Sequence, residues 1–256
     1  MKAVVIGGSG ATGKPLICQL LAGEPVSEVT ALLRKETFGH HPKLRQEIVD
    51  FDRIEDFGDK IDAEIAFSCM GTTLKIAGSK EAQWKVDFGY QYRFARLCRE
   101  RGVSTFVLLS AVNADPDSRF FYSKMKGKLE KEVEKLGFQR LIIFQPGLLI
   151  RPGTDRKREM IGVKAMQIIN KWGLLNWGFL EKLNPLDVAD LAKAMIQSVM
   201  EIQGMKEKGC HIENQDNLKN QGIIEKQNTV PQSTMDYDEP VRRIAVPEIQ
   251  HLYRQI

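Results

Sequence analysis

The stretch that most constrains this chain is Val4-Val5-Ile6-Gly7-Gly8-Ser9-Gly10-Ala11-Thr12-Gly13. The apolar run before it is too short for a core helix and reads as a buried strand. Leu16, Ile17, Leu20 and Leu21 follow with helical spacing. Strand, glycine turn and helix start make a phosphate cradle. Glycines let backbone approach a pyrophosphate, and the N–H groups and dipole of the helix N-terminus hold its charge. The Walker spacing is nearly met by Gly8, Gly13 and Lys14. Pro15, however, stands where a hydroxyl would ligate magnesium, so a nucleoside-triphosphate hydrolase is not expected. Proline suits a first helical turn, where its missing N–H costs little.

With 256 residues, 43% of them hydrophobic, the chain is long enough for one large α/β domain with additions. Its net charge of +4 is not gathered in one basic run, so nucleic acid is not an expected partner. Cys18, Cys69, Cys98 and Cys210 lie far apart and read as reduced cysteines of a cytoplasmic protein; no metal site is expected. The first residues enter a strand at once, so no signal peptide is expected. No apolar run approaches the ~20 residues of a membrane span.

Along the chain, residues 29–33 read as a second strand ending on Arg34 and Lys35. A basic residue there suits the 2′-phosphate of NADP, whereas an acidic one suits the ribose of NAD. NADP(H) is therefore the expected cofactor, with a solvated loop as the plain alternative. Residues 47–51 read as a third strand. Asp50 at its end is either a cap or an acceptor for the adenine amino group, with Phe51 beside the ring. Residues 63–69 form a fourth strand, and the small residues after Met70 (Gly71, Thr72) leave room for a ribose. One helix is expected over residues 80–101, with Val86, Tyr90, Phe94, Leu97 and Cys98 as its core stripe. Residues 105–110 form a fifth strand ending on Ser110. Residues 141–144 form a sixth, closed by Gln145-Pro146-Gly147, where a Pro-Gly break either sets backbone against a nicotinamide or makes a plain turn.

Between the last two strands lies Tyr122-Ser123-Lys124-Met125-Lys126, a Y-x-x-x-K near a helix start. Residues four apart share a helix face. A tyrosine phenol titrates at about 10, and a nearby ammonium lowers that value. Tyr122 is thus a candidate general acid or base at a carbonyl or alcohol oxygen, with Lys126 as its cation and ribose ligand. Ser110 is the candidate to orient that oxygen. Strand–helix alternation predicts a doubly wound parallel sheet whose ligand crevice lies at the C-terminal strand ends. Gly7, Arg34, Asp50, Gly71, Ser110 and Pro146 all fall at such ends.

These pieces resemble an atypical short-chain dehydrogenase/reductase of the Tat-interacting-protein-like oxidoreductase branch. The resemblance runs over residues 1–213 through Gly7 to Gly13, Val49-Asp50-Phe51, Gly71-Thr72-Thr73, Ala77-Gly78 and Val86-Asp87. Leu108-Leu109-Ser110, Tyr122 with Lys126-Gly127, and Pro146-Gly147 continue it. It implies an NAD(P)-binding Rossmann domain with a Ser/Tyr/Lys triad. It also implies that some members act mainly as regulators. Family members often carry two serines after the fifth strand; here Ala111 follows Ser110, which either serves alone or leaves the triad without its orienting hydroxyl.

Residues 151–183 are the expected substrate or lid region, opened by Arg151, Arg156, Lys157 and Arg158 and closed by Trp177, Phe179 and Leu180. Asn184-Pro185-Leu186-Asp187 is a helix start, and residues 209–213 read as a last strand. From Asn214 to Ile256 a polar extension follows, within which residues 246–253 could dock as a short helix; it is the expected seat of a homodimer or protein contact. The leading functional expectation is NADP(H)-dependent hydride transfer to or from a small apolar carbonyl or alcohol. The alternatives are a non-catalytic NADP(H)-binding regulator and a sugar-nucleotide epimerase or dehydratase.

Overall fold

A computed structural model describes residues 1–23, 26–150, 185–212 and 240–254. Its centre is a seven-stranded, all-parallel sheet in the order β3-β2-β1-β4-β5-β6-β9. The strands are β1 (Lys2–Ile6), β2 (Glu28–Leu33), β3 (Leu44–Ile48), β4 (Ile65–Ser68), β5 (Thr105–Leu109), β6 (Arg140–Gln145) and β9 (Val241–Ala245). The short β7 (Leu149–Ile150) and β8 (Leu186–Asp187) pair separately.

Alternate strand residues feed two cores, as the pleat requires. Val5, Leu33, Phe67, Val107 and Phe144 face α1 (Gly13–Ala22), α6 (Val188–Ile212) and α7 (Val246–Arg254), where Leu16, Leu191 and Leu252 meet them. Val4, Leu32, Phe106, Leu108 and Ile143 face the opposite layer. That layer contains α4 (Gln91–Glu100) and α5 (Phe121–Glu134), with Phe94, Leu97, Leu129 and Val133 buried against the sheet. The doubly wound parallel sheet expected from the sequence is the fold.

Several elements differ from the sequence reading. The third strand lies three residues earlier than residues 47–51, because Asp50 accepts a hydrogen bond from the Asp52 N–H at 2.9 Å and starts a 3₁₀ segment over Phe51–Lys60. The expected single helix over residues 80–101 is three pieces. The short α2 (Leu74–Ala77) precedes them; α3 (Lys80–Trp84), a π-helical turn (Lys85–Tyr90) and α4 then follow without a gap. In the π turn the Gln91 side chain donates to the Asp87 carbonyl at 2.6 Å.

The strand expected at residues 209–213 is not formed: α6 runs through to Ile212. Its start is capped by Asp187, whose carboxylate accepts from the Ala189 N–H at 2.7 Å. The last strand is instead β9, drawn from the polar extension and paired parallel with β6. Its Val-Arg-Arg-Ile-Ala sequence hides it, since paired arginines are a common edge-strand device. The short helix in the extension does dock, as α7, through Ile249 and Leu252. The segment expected as a substrate or lid region, residues 151–183, and Asn184 lie outside the described residues.

Candidate active site

β1 delivers the glycine turn to the C-terminal edge of the sheet. Gly7 has φ +73°, and a Cβ there would stand 2.5 Å from the Cys69 carbonyl carbon and the Met70 nitrogen. A Cβ on Gly13 would overlap the Gly7 carbonyl, so the helix start and strand end touch through backbone. The Gly10 N–H donates to the Gly7 carbonyl at 2.9 Å and closes the turn. No side chain caps α1 at Thr12 and its first turn holds no acid. The positive end of α1 is therefore not neutralised from within, which is the chemistry of an anion-binding N-terminus.

A cleft of about 250 Å³ runs from this turn between β1, β2 and β4. Of the residues expected to hold a cofactor, Gly7, Ser9, Gly10, Arg34, Phe51, Met70, Gly71 and Thr72 line it. Ala11, Thr12 and Gly13 stand behind the turn at the start of α1. Lys35 is exposed beside Arg34 but is not on the cleft wall. Asp50 is likewise absent from the wall, its carboxylate taken by the cap of the 3₁₀ segment.

Sequence reading missed Gly8, Leu32, Leu33, Cys69, Ile76, Val86 and Tyr90, all of which line the cleft. Val86 and Tyr90 were assigned to the helix core, and the π turn holds both on the cleft wall instead. Tyr90 is fixed there on several sides. Its hydroxyl donates to Asp52 at 2.9 Å, the Arg93 guanidinium lies 5.3 Å from its ring centre, and the Phe51 ring is 5.7 Å away. Lys85 also reaches Asp52, and its hydrogen bond, followed by that of Tyr90, lowers the pKa of the Asp52 carboxyl.

Past the cleft, the residues expected to react lie on or beside α5. Tyr122 sits in its first turn and is 45% exposed. Lys126, one turn on, is 2% exposed and donates to the Leu109 carbonyl at 3.3 Å. Burial lowers the Lys126 pKa, while the charges of Asp87, Glu130 and Cys69 act to raise it. Burial pushes the Cys69 thiol up to about 12, with Lys126 opposing.

Asp87 and Glu130 are the acidic residues the sequence reading gave no role. Asp87, in the π turn, accepts from the Thr72 N–H at 2.6 Å and from Gln83 at 3.3 Å. Burial raises its pKa, opposed first by Lys126. The loop after β4 is thus tied to the residue that faces Lys126. Ser110, just past β5, donates its hydroxyl to Glu130, which also accepts from Gln145 at 3.0 Å. Pro146 and Gly147 lie beside this end of the site rather than on the cleft; the Pro146 carbonyl accepts from the Val112 N–H at 2.9 Å.

The all-parallel sheet, the glycine turn and the crevice at its strand ends define a Rossmann-type α/β protein. The same fold is found in the Bordetella bronchiseptica enzyme WbmH, solved in complex with NAD+. That likeness has a TM-score of 0.58 at 13% identity and covers 77% of this chain and 71% of that one. No protein-family profile matches the chain.

Individual relatives are closer. The chain is 36% identical over 168 residues to Protein HTATIP2 of Rattus norvegicus, covering 62% of this chain and 69% of the relative. It is 32% identical over 210 residues to Protein FMP52, mitochondrial, of Meyerozyma guilliermondii, covering 78% and 86%. The chain belongs to the atypical short-chain dehydrogenase/reductase branch that holds HTATIP2 and FMP52. The FMP52 relatives are mitochondrial proteins, and this overturns the expectation of a cytoplasmic protein drawn from cysteine usage.

Proposed function

We propose that the chain is an NADP(H)-dependent oxidoreductase acting on a small apolar carbonyl or alcohol. The observation that carries this reading is the cleft itself, which joins an anion-binding helix start, a basic lip and an apolar wall in one crevice. In this reading the turn from Gly7 to Gly13 and the N-terminus of α1 hold the pyrophosphate. Arg34, with Lys35 nearby, takes the 2′-phosphate. Phe51, Ile76, Val86 and Tyr90 form the adenine-side wall, and Met70, Gly71 and Thr72 flank the ribose. The bound dinucleotide supplies the hydride.

The remaining chemistry belongs to the chain's own residues. Tyr122 gives or takes the proton at the substrate oxygen. Lys126, anchored by the Leu109 carbonyl and faced by Asp87, supplies positive charge next to it and binds the ribose. Ser110 contacts the substrate oxygen, and Pro146 and Gly147 close the nicotinamide end. Residues 151–183 are the proposed substrate side.

A second reading, a regulator that binds NADP(H) without turnover, is favoured by one observation: the Ser110 hydroxyl hydrogen is given to Glu130. NADPH consumption against aldehydes, ketones and quinones separates the two. Turnover that Tyr122→Phe reduces by about 10²-fold or more supports the enzyme. NADPH binding without turnover, or turnover indifferent to Tyr122, supports the regulator.

A further inference from the structure

Arg34 lines the cleft just past β2, where the chain bends through Arg34 and Lys35. The segment returns to β3 at once and is caught there by one side chain. The Gln46 side-chain oxygen accepts from the Thr37 N–H at 3.1 Å and from the Phe38 N–H at 2.9 Å. Its amide nitrogen donates to the Phe38 carbonyl at 2.8 Å. Inside the bend the Thr37 hydroxyl donates to the Lys35 carbonyl at 2.9 Å. Gln46 stands opposite Ala31 in the β2–β3 register, on an outermost strand of the sheet. Any solvated side chain would suit an edge strand there; this one is bonded instead to three backbone groups of the loop. A carboxamide has an acceptor oxygen and a donor nitrogen side by side, so it matches two N–H groups and a carbonyl together.

We infer that Gln46 is a positioning residue for Arg34 and sets the preference for NADPH over NADH. The inference rests on the reading of Arg34 as the ligand of the 2′-phosphate. Gln46 is not on the cleft wall, so it acts through the loop and not by touching the nucleotide. The bend that carries Arg34 is held at one end by β2 and at the other by the Gln46 clamp, which gives its backbone a fixed path. A guanidinium presented from a fixed backbone loses less freedom when it binds. That advantage goes to the 2′-phosphate alone, because NADH has no phosphate at this place.

The test is calorimetric titration with NADPH and with NADH of the full chain carrying Gln46→Leu, Arg34→Ala or both. Gln46→Leu keeps a side chain of similar size and removes all three bonds. It is expected to weaken NADPH about fivefold and to leave NADH nearly unchanged. In the Arg34→Ala background it should have no further effect on NADPH. Should Gln46→Leu not fold, Gln46→Asn decides by the same measure: one methylene shorter and still polar, it is expected to repeat the selective loss. Equal losses for the two nucleotides, an unchanged NADPH affinity, or the same loss with and without Arg34 overturn the inference. A wild-type chain with no preference for NADPH ends the reading of Arg34, and this inference falls with it. That failure is seen in wild type alone, before any Gln46 variant is compared.

Discussion

Gly7 and Cys69 lie so close that a Cβ on the glycine would stand 2.5 Å from the cysteine's carbonyl carbon. β1 and β4 are neighbours in the sheet, so this contact makes the glycine turn and the Cys69–Thr72 loop opposite lips of one cleft. Gly7→Ala adds a methyl at that contact and places a side chain at φ +73°. We expect about 1–3 kcal/mol of lost stability and loss of NADPH binding, read by thermal unfolding and titration. Unchanged affinity would separate the turn from the cofactor.

Arg34 is the basic residue on the cleft wall at the end of β2. A guanidinium gives its binding energy to the 2′-phosphate, which NADH lacks. Arg34→Ala should therefore weaken NADPH about tenfold and leave NADH nearly unchanged. Equal losses for the two nucleotides would remove Arg34 from the 2′-phosphate.

Tyr90 joins the cleft wall to the 3₁₀ segment through Asp52. Its ring should matter more than its hydroxyl. Tyr90→Ala is expected to weaken NADPH and NADH alike by about tenfold, the size of a lost base–aromatic contact. Tyr90→Phe should lose much less. Isothermal titration of the two variants checks the order.

Asp87 has a pKa raised by burial, so its charged form is worse off in the folded chain than in the unfolded one. For an acid, that sign means stability is fullest below the unfolded value and declines as pH rises through the folded one. Asp87→Asn removes this decline. The variant's Tm relative to wild type should rise between acid and neutral pH, and a falling difference would show that the Lys126 pairing outweighs the burial.

The sheet was legible where strands are buried on both faces. β1, β2, β4, β5 and β6 appear as short apolar runs, as parallel strands do. β3 and β9 were misplaced because Leu-Arg-Gln-Glu-Ile and Val-Arg-Arg-Ile-Ala lie at the sheet edges and carry solvent-facing charge. The π turn left no mark, since apolar spacing on either side of it still looks α-helical. Tyr90 therefore read as core, although a polar-tipped aromatic in an apolar stripe was the available signal.

The glycine turn and Y-x-x-x-K were legible as local patterns. Asp87 and Glu130 were not, because an acidic residue on a helix ordinarily points to solvent. Only the crossing of α5, the π turn and the strand ends shows that both are buried. Cysteine spacing was a poor guide to compartment, as the mitochondrial FMP52 relatives make plain.

The most direct test of the central claim is calorimetric titration of the full chain with NADPH and with NADH. The account predicts saturable binding at one site per chain, tighter for NADPH than for NADH, and abolished by Gly7→Ala. A well-folded chain that binds neither nucleotide would contradict it.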